Sequence, residues 1–136
     1  MSKIEHTLSI IKPDAVERNL ESKIKTIFQN NGFKIIKEKK IKLEKEDAEK
    51  FYKVHETKPF YNDLCEYLSS GAIVVMVLER ENAIKSNRDL MGATDPSKAQ
   101  EGTIRKLFGK SIDKNSVHGS DSLENAKIEI DFFFKH

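Results

Sequence analysis

Alternation of strand-like apolar runs with segments of helical spacing predicts an α/β sandwich of the split βαβ type, with a mainly antiparallel sheet. Three observations carry this expectation. An apolar, β-branched run ends at Lys12-Pro13, a second run is apolar at every position from Ala72 to Leu78, and residues with helical periodicity follow each run. The 136 residues suit one compact domain, spanning 1–136.

In chain order, the first strand covers His6 to Lys12 and stops where Pro13 denies the sheet a ladder donor. Leu20, Ile24, Ile27 and Phe28 then mark one helical face, closed by Asn30-Asn31-Gly32. From Phe33 to Leu43, Phe33, Ile35, Ile41 and Leu43 share one register while Lys34, Lys40 and Lys42 occupy the other, which predicts a long strand with one wet face. Ala48, Phe51 and Tyr52 indicate a second helix. After the turn at Pro59-Phe60-Tyr61, Leu64, Tyr67 and Leu68 indicate a short amphipathic one. The run Ala72 to Leu78, bounded by Gly71 and Glu79-Arg80-Glu81, fits a central strand buried on both faces. Asn82 is placed to cap a helix through Met91, closed by Gly92.

From Ala93 to Asn115 the chain is polar apart from an amphipathic piece at Thr103 to Phe108. A stretch of that length in a small domain reads as a working loop. Leu123, Ala126, Ile130, Phe133 and Phe134 define the last helix. Asp121-Ser122-Leu123-Glu124 has the form of a capping box, and the helix starts just past His118.

Composition excludes several function classes. Twenty-four basic residues against 22 acidic ones leave a net charge of +2, too little for a general polyanion binder, so any anion site must be local. The single cysteine, Cys65, cannot form an internal disulfide and suits a reducing interior, which points to the cytoplasm. No apolar stretch has the length of a secretion signal or a membrane span. Glycines at 32, 71, 92, 102, 109 and 119 form neither a Walker A loop nor G-x-G-x-x-G nor G-x-S-x-G. No histidine or cysteine pair has metal-ligand spacing, so no protein-held metal site is expected.

His6, His55 and His136 lie in charged or terminal contexts and read as ordinary surface histidines. His118 differs, standing in Asn115-Ser116-Val117-His118-Gly119-Ser120-Asp121 between the polar loop and the last helix, with a glycine that leaves one side of the imidazole open. Local sequence alone leaves two readings, a turn residue or a nucleophile. Lys12 ends a strand, and Arg88, Thr94 and Arg105 lie in or beside the long loop, where sites are commonly assembled. Guanidinium groups suit bidentate contact with phosphate oxygens and a lysine suits a point-charge contact, although each of these residues alone also fits a solvated surface charge.

Five blocks, taken together, resemble the nucleoside diphosphate kinase family over nearly the whole chain. They are Thr7-Leu8-Ser9-Ile10-Ile11-Lys12-Pro13-Asp14-Ala15, Lys58-Pro59-Phe60-Tyr61, Arg88-Asp89-Leu90-Met91-Gly92-Ala93-Thr94-Asp95-Pro96, Gly102-Thr103-Ile104-Arg105, and Asn115-x-x-His118-Gly119-Ser120-Asp121-Ser122. The resemblance implies a ferredoxin-like βαββαβ fold, an α+β sandwich with a four-stranded antiparallel sheet, added helices and a long active-site loop. It also implies ping-pong transfer of the γ-phosphate of a nucleoside triphosphate, mainly ATP, to nucleoside diphosphates through a phosphohistidine on His118, maintaining the (d)NTP pools.

By the same resemblance, Glu129 holds the His118 ring and Tyr52 adds a hydroxyl to that network. Lys12 and Asn115 reach the sugar hydroxyls and the transferring phosphate, Arg88, Thr94 and Arg105 bind the remaining phosphates, and Phe60 and Ile112 sandwich the base beside Leu64. Mg²⁺ is carried by the nucleotide phosphates rather than by a carboxylate cage. The chemistry agrees with these roles. A neutral imidazole is a competent nucleophile, and phosphoryl transfer asks a protein mainly for positioning and charge neutralisation. Apolar stacking uses a face that every base possesses, so little base discrimination is expected.

The chain departs from the family pattern at Leu20-Glu21-Ser22, at Ala72 and at Lys106-Leu107-Phe108, none of which removes a catalytic group. It ends at His136 without the extension that longer members use in assembly, and a homo-oligomer, tetramer or hexamer, is the implied state. No membrane or specific nucleic-acid partner is expected. An RNA-recognition module, the first rival, would need aromatics on its central strands, and Ala72 to Leu78 has none. A silent relative acting as a scaffold would be expected to lack His118, Lys12 or Arg105, and all three are present.

Overall fold

The computed structural model describes residues 3–110 and 116–134. Four strands, β1 (Ile4–Ile11), β2 (Lys34–Ile41), β3 (Ile73–Glu81) and β4 (Val117–Gly119), form one sheet in the order β2-β3-β1-β4. Every neighbouring pair is antiparallel, and the order is the ferredoxin-like one. The helices are α1 (Pro13–Glu17), α2 (Glu21–Asn30), α3 (Lys45–Phe51), α4 (Tyr61–Leu68), α5 (Ala83–Met91), α6 (Ile104–Phe108) and α7 (Leu123–Phe134), with 3-10 turns at Lys53–His55 and Pro96–Lys98. Among the described residues no helix is long and apolar enough to cross a membrane.

β3 occupies the interior of the sheet, and its unbroken apolar run has a direct cause, because alternate residues enter two separate cores. Val74, Met76 and Leu78 pack with Ile11, Ile24 and Phe28 on one face. Ile73 and Val75 pack with Leu8, Ile10, Leu68 and Phe133 on the other. This second face carries α3, α4 and α7, and the candidate site opens at its edge.

The structure corrects four local expectations. In β2, Ile35 pairs with Leu78 and Lys37 with Val77, so Ile36 is an extra, bulged residue. A bulge inverts the parity of the strand beyond it. Phe33 and Ile35 therefore belong to the first core while Ile41 and Leu43 belong to the second, instead of sharing one register. Helix α5 does follow Asn82, but Asn82 is left-handed, with φ 51°, and makes no side-chain cap. The Glu5 carboxylate, arriving from β1, accepts the Ile84 N–H at 3.2 Å in its place.

At α7 the capping contact is shifted by one residue. The Ser122 hydroxyl accepts the Asn125 N–H at 3.0 Å and the Asn125 amide reaches back to Asp121 Oδ1 at 2.6 Å, so Glu124 is not the partner. Finally, α1 was not foreseen. It opens at Pro13, the first helical position, where proline's fixed φ is favourable and its missing N–H costs nothing. The segment after Gly92 folds back as a 3-10 turn and α6, whose start is capped by the Thr103 hydroxyl. Gly92 has φ +88°, and a Cβ there would meet Thr103 Oγ1 at 2.5 Å, so only glycine fits.

Candidate active site

His118 lies on β4, a strand of three residues at the sheet edge, rather than in a turn. It pairs with Ile10 across the ladder and so faces the second core, toward α7 and α3. There its Nε2 meets Glu129 Oε1 at 3.1 Å. The same carboxylate oxygen accepts the Ser120 hydroxyl at 2.7 Å, and the Ser120 oxygen in turn accepts the Leu8 N–H at 3.3 Å. Glu129 is thus oriented by a group tied to β1 before it orients the imidazole. The Phe51 ring lies edge-on to His118, with centroids 5.3 Å apart at 75°. The nucleophile candidate therefore has one nitrogen engaged and one ring edge walled.

Tyr52 is buried beneath this cluster, and its phenol is pushed well above the ordinary range by burial first, then by the nearby Cys65 and Glu129. Ser120 is a residue that sequence reasoning quoted without giving it a role. The available signal was strand period, since positions 118 and 120 share a face. His55 is a second one, because its ring lies between those of Tyr52 and Phe60, at 6.2 and 6.1 Å. Burial, then the charges of Lys58 and His118, lower its pKa, with Asp121 opposing them.

The cations converge on β4 from two directions. Lys12, only 7% exposed, ends β1, and its backbone N–H donates to the Ser116 carbonyl at 2.8 Å. Arg105 on α6 donates from Nη2 to the Val117 carbonyl at 2.9 Å and from Nη1 to the Gly92 carbonyl at 3.0 Å. Its Nε is buried without a hydrogen-bond partner among the described residues. Burial, and then the charge of Arg88, push this guanidinium down to about 10. Arg88 on α5 and Thr94 are exposed.

Phe60 is 44% exposed at the head of α4, with Lys58 Nζ 5.7 Å from its ring centroid and Leu64 one turn further on. Ile112 and Asn115, the remaining expected nucleotide contacts, lie outside the described residues. Among the described residues, no group of three or more histidine, cysteine or carboxylate side chains is placed to hold a metal ion. A cavity of about 510 Å³ lies between α5 and the start of α7, but of the expected residues it takes only Arg88. Its other charged walls, Lys85, Glu5, Asp89 and Asp121, are mostly acidic and suit a polyphosphate poorly. The His118 imidazole lies instead on the second-core side of β4, toward α7 and α3.

A family model for nucleoside diphosphate kinase matches residues 5–136. A nucleoside diphosphate kinase of Persephonella marina is 58% identical over 131 residues, covering 96% of this chain and 94% of its own length. One from Campylobacter jejuni is 61% identical over 132 residues, covering 97% of this chain and 96% of its own. A crystal structure of the Aquifex aeolicus nucleoside diphosphate kinase superposes with a TM-score of 0.95 at 43% identity, covering 97% of this chain and 96% of that one.

Proposed function

Since the chain belongs to the nucleoside diphosphate kinase family, whose members transfer phosphate between nucleotides, we propose that it does so by a ping-pong reaction in which His118 is transiently phosphorylated. The observation that carries this reading is the engagement of His118 Nε2 by Glu129 Oε1, with Ser120 bracing the carboxylate. A neutral imidazole holds one proton. Placing it on Nε2, as a donor to Glu129, leaves the Nδ1 lone pair as the nucleophile.

Nδ1 attacks the γ-phosphorus of a nucleoside triphosphate, mainly ATP. The bond to the β,γ-bridging oxygen breaks, and the diphosphate departs with the electron pair. A terminal oxygen of a second nucleoside diphosphate then attacks the same phosphorus, and the N–P bond breaks to regenerate the imidazole. Lys12 neutralises the transferring group, and Arg105, with its unpartnered buried Nε–H, joins Arg88 and Thr94 on the remaining phosphates. Phe60 and Leu64 receive the base, with Ile112 opposite and Asn115 at the sugar. Mg²⁺ enters with the nucleotide as part of the substrate and supplies charge neutralisation there. A cytoplasmic role in maintaining (d)NTP pools, as a homo-oligomer, completes the proposal.

Incubation with γ-labelled ATP and Mg²⁺ should give an acid-labile, base-stable phosphoprotein, and GDP should remove the label as GTP. His118→Ala should abolish both steps. Persistent labelling and transfer by that variant would exclude His118 as the carrier.

A further inference from the structure

Behind Lys12, a buried polar cluster joins α1, α4, the end of α6 and the start of β4. Asp14, on α1 and 7% exposed, is its centre. The Tyr67 hydroxyl, from α4, donates to Asp14 Oδ1 and accepts the Asp14 N–H at 3.0 Å. Oδ2 accepts the Ser116 hydroxyl at 3.1 Å and Arg18 Nη2 at 3.3 Å. The same Arg18 nitrogen donates to the Phe108 carbonyl at 2.5 Å and to Ser116 Oγ at 3.3 Å.

Two of these bonds, from Arg18 to the Ser116 hydroxyl and from that hydroxyl to Asp14, hold Ser116, two residues before His118. Ser116 is fully buried in a left-handed conformation, φ 74°, which a non-glycine residue holds only when its surroundings impose it. Its carbonyl accepts the Lys12 N–H, and the next carbonyl, that of Val117, accepts Arg105. Residues 116 and 117 are therefore the point at which the spacing between Lys12, Arg105 and His118 is set. Without the Asp14 carboxylate, the Ser116 hydroxyl and the Arg18 guanidinium lose a shared acceptor, and the left-handed backbone at 116 loses one of the anchors that hold it.

We propose that Asp14, with Arg18 and Tyr67, is a positioning residue for phosphoryl transfer, fixing Ser116 and through it the placement of Lys12 relative to His118. This rests on the reading of His118 as the phosphate carrier. Transfer through a loose transition state depends steeply on where the neutralising cation stands, and a displacement of about 1 Å can cost about 100-fold in rate. A carboxylate that only stabilised the fold would lower stability without acting through Lys12.

The test is a double-mutant cycle on single-turnover labelling of His118 by γ-labelled ATP. Asp14→Asn should slow labelling about 10- to 100-fold in the wild-type background, and by less than about twofold in a Lys12→Ala background. Equal slowing in the two backgrounds, or none in either, overturns the proposal. Tyr67→Phe, which keeps the ring and removes one hydrogen bond, should show the same dependence on Lys12 with a smaller loss. It decides the matter if Asp14→Asn fails to fold by circular dichroism. Failure of the phosphohistidine reading itself is separate, because it would appear as labelling that survives His118→Ala.

Discussion

The two edges of the sheet are built in opposite ways. β2 runs eight residues from Lys34 to Ile41, is bulged at Ile36 and exposes Lys34, Lys37, Lys39 and Lys40. β4 has three residues, with Val117 buried and His118 half-buried. The long edge is specified by which apolar side chains enter which core, and its lysines keep other strands from adding to it. The short edge has too little ladder to hold itself. It is tied by Lys12 to Ser116, by Arg105 to Val117 and by Ser120 to Leu8. The strand that carries the proposed nucleophile thus gains its position from polar bonds to neighbouring elements, and one of the tying groups, the Arg105 guanidinium, is also proposed to meet phosphate.

If packing register specifies β2, deleting Ile36 should produce the largest effect of all. Without the bulge, Ile41 and Leu43 turn toward the wrong face, and the loss should be roughly 2–5 kcal/mol, read as a fall in the urea midpoint at unchanged slope. An unaltered midpoint would mean that β2 is held by its ladder alone.

On the other edge, Gly119→Ala should be milder for the fold and severe for the reaction. An added Cβ would lie 2.3 Å from Asn87 Nδ2 and 2.9 Å from Met91 Cε, so these two buried side chains must shift or β4 and α5 must separate. A stability loss of about 1–3 kcal/mol and a fall in phosphotransfer of about 100-fold are expected. Adding Asn87→Ala should recover part of the rate by opening space. Full activity in Gly119→Ala alone would show that β4 tolerates displacement.

The same contrast separates what the sequence disclosed from what it withheld. β3 was legible because a strand buried on both faces must be apolar at every position, and Ala72 to Leu78 is. The five motif blocks were legible because chemistry restricts residue type. The bulge was not, since Ile36 looks like any strand residue until Leu78 and Val77 are seen to pair on either side of it. Nor was the brace at Ser120, which requires knowing that Leu8 and Glu129 approach it from positions far along the chain. The dual use of Arg105, a strut to two carbonyls as well as a cation, equally depends on long-range partners.

The smallest expected effect comes from His55, which lies in the 3-10 turn between α3 and α4, with its ring near those of Tyr52 and Phe60. Its pKa lies below the ordinary histidine value, chiefly through burial, with the charges of Lys58 and His118 acting in the same direction and Asp121 against them. The folded protein then binds fewer protons than the unfolded chain once pH falls below the ordinary value of about 6.5, and stability declines with acidification over that window. His55→Gln removes this contribution, so its stability should fall less than that of the wild type between about pH 7 and about pH 5.5. Denaturant titrations of both proteins at the two pH values give the difference directly, and the other titrating groups cancel in the comparison. Equal slopes would mean that His55 takes up its proton as freely in the folded protein as in the unfolded chain. A smaller slope for the variant would show that the fold holds the His55 imidazole back from protonation, chiefly through burial.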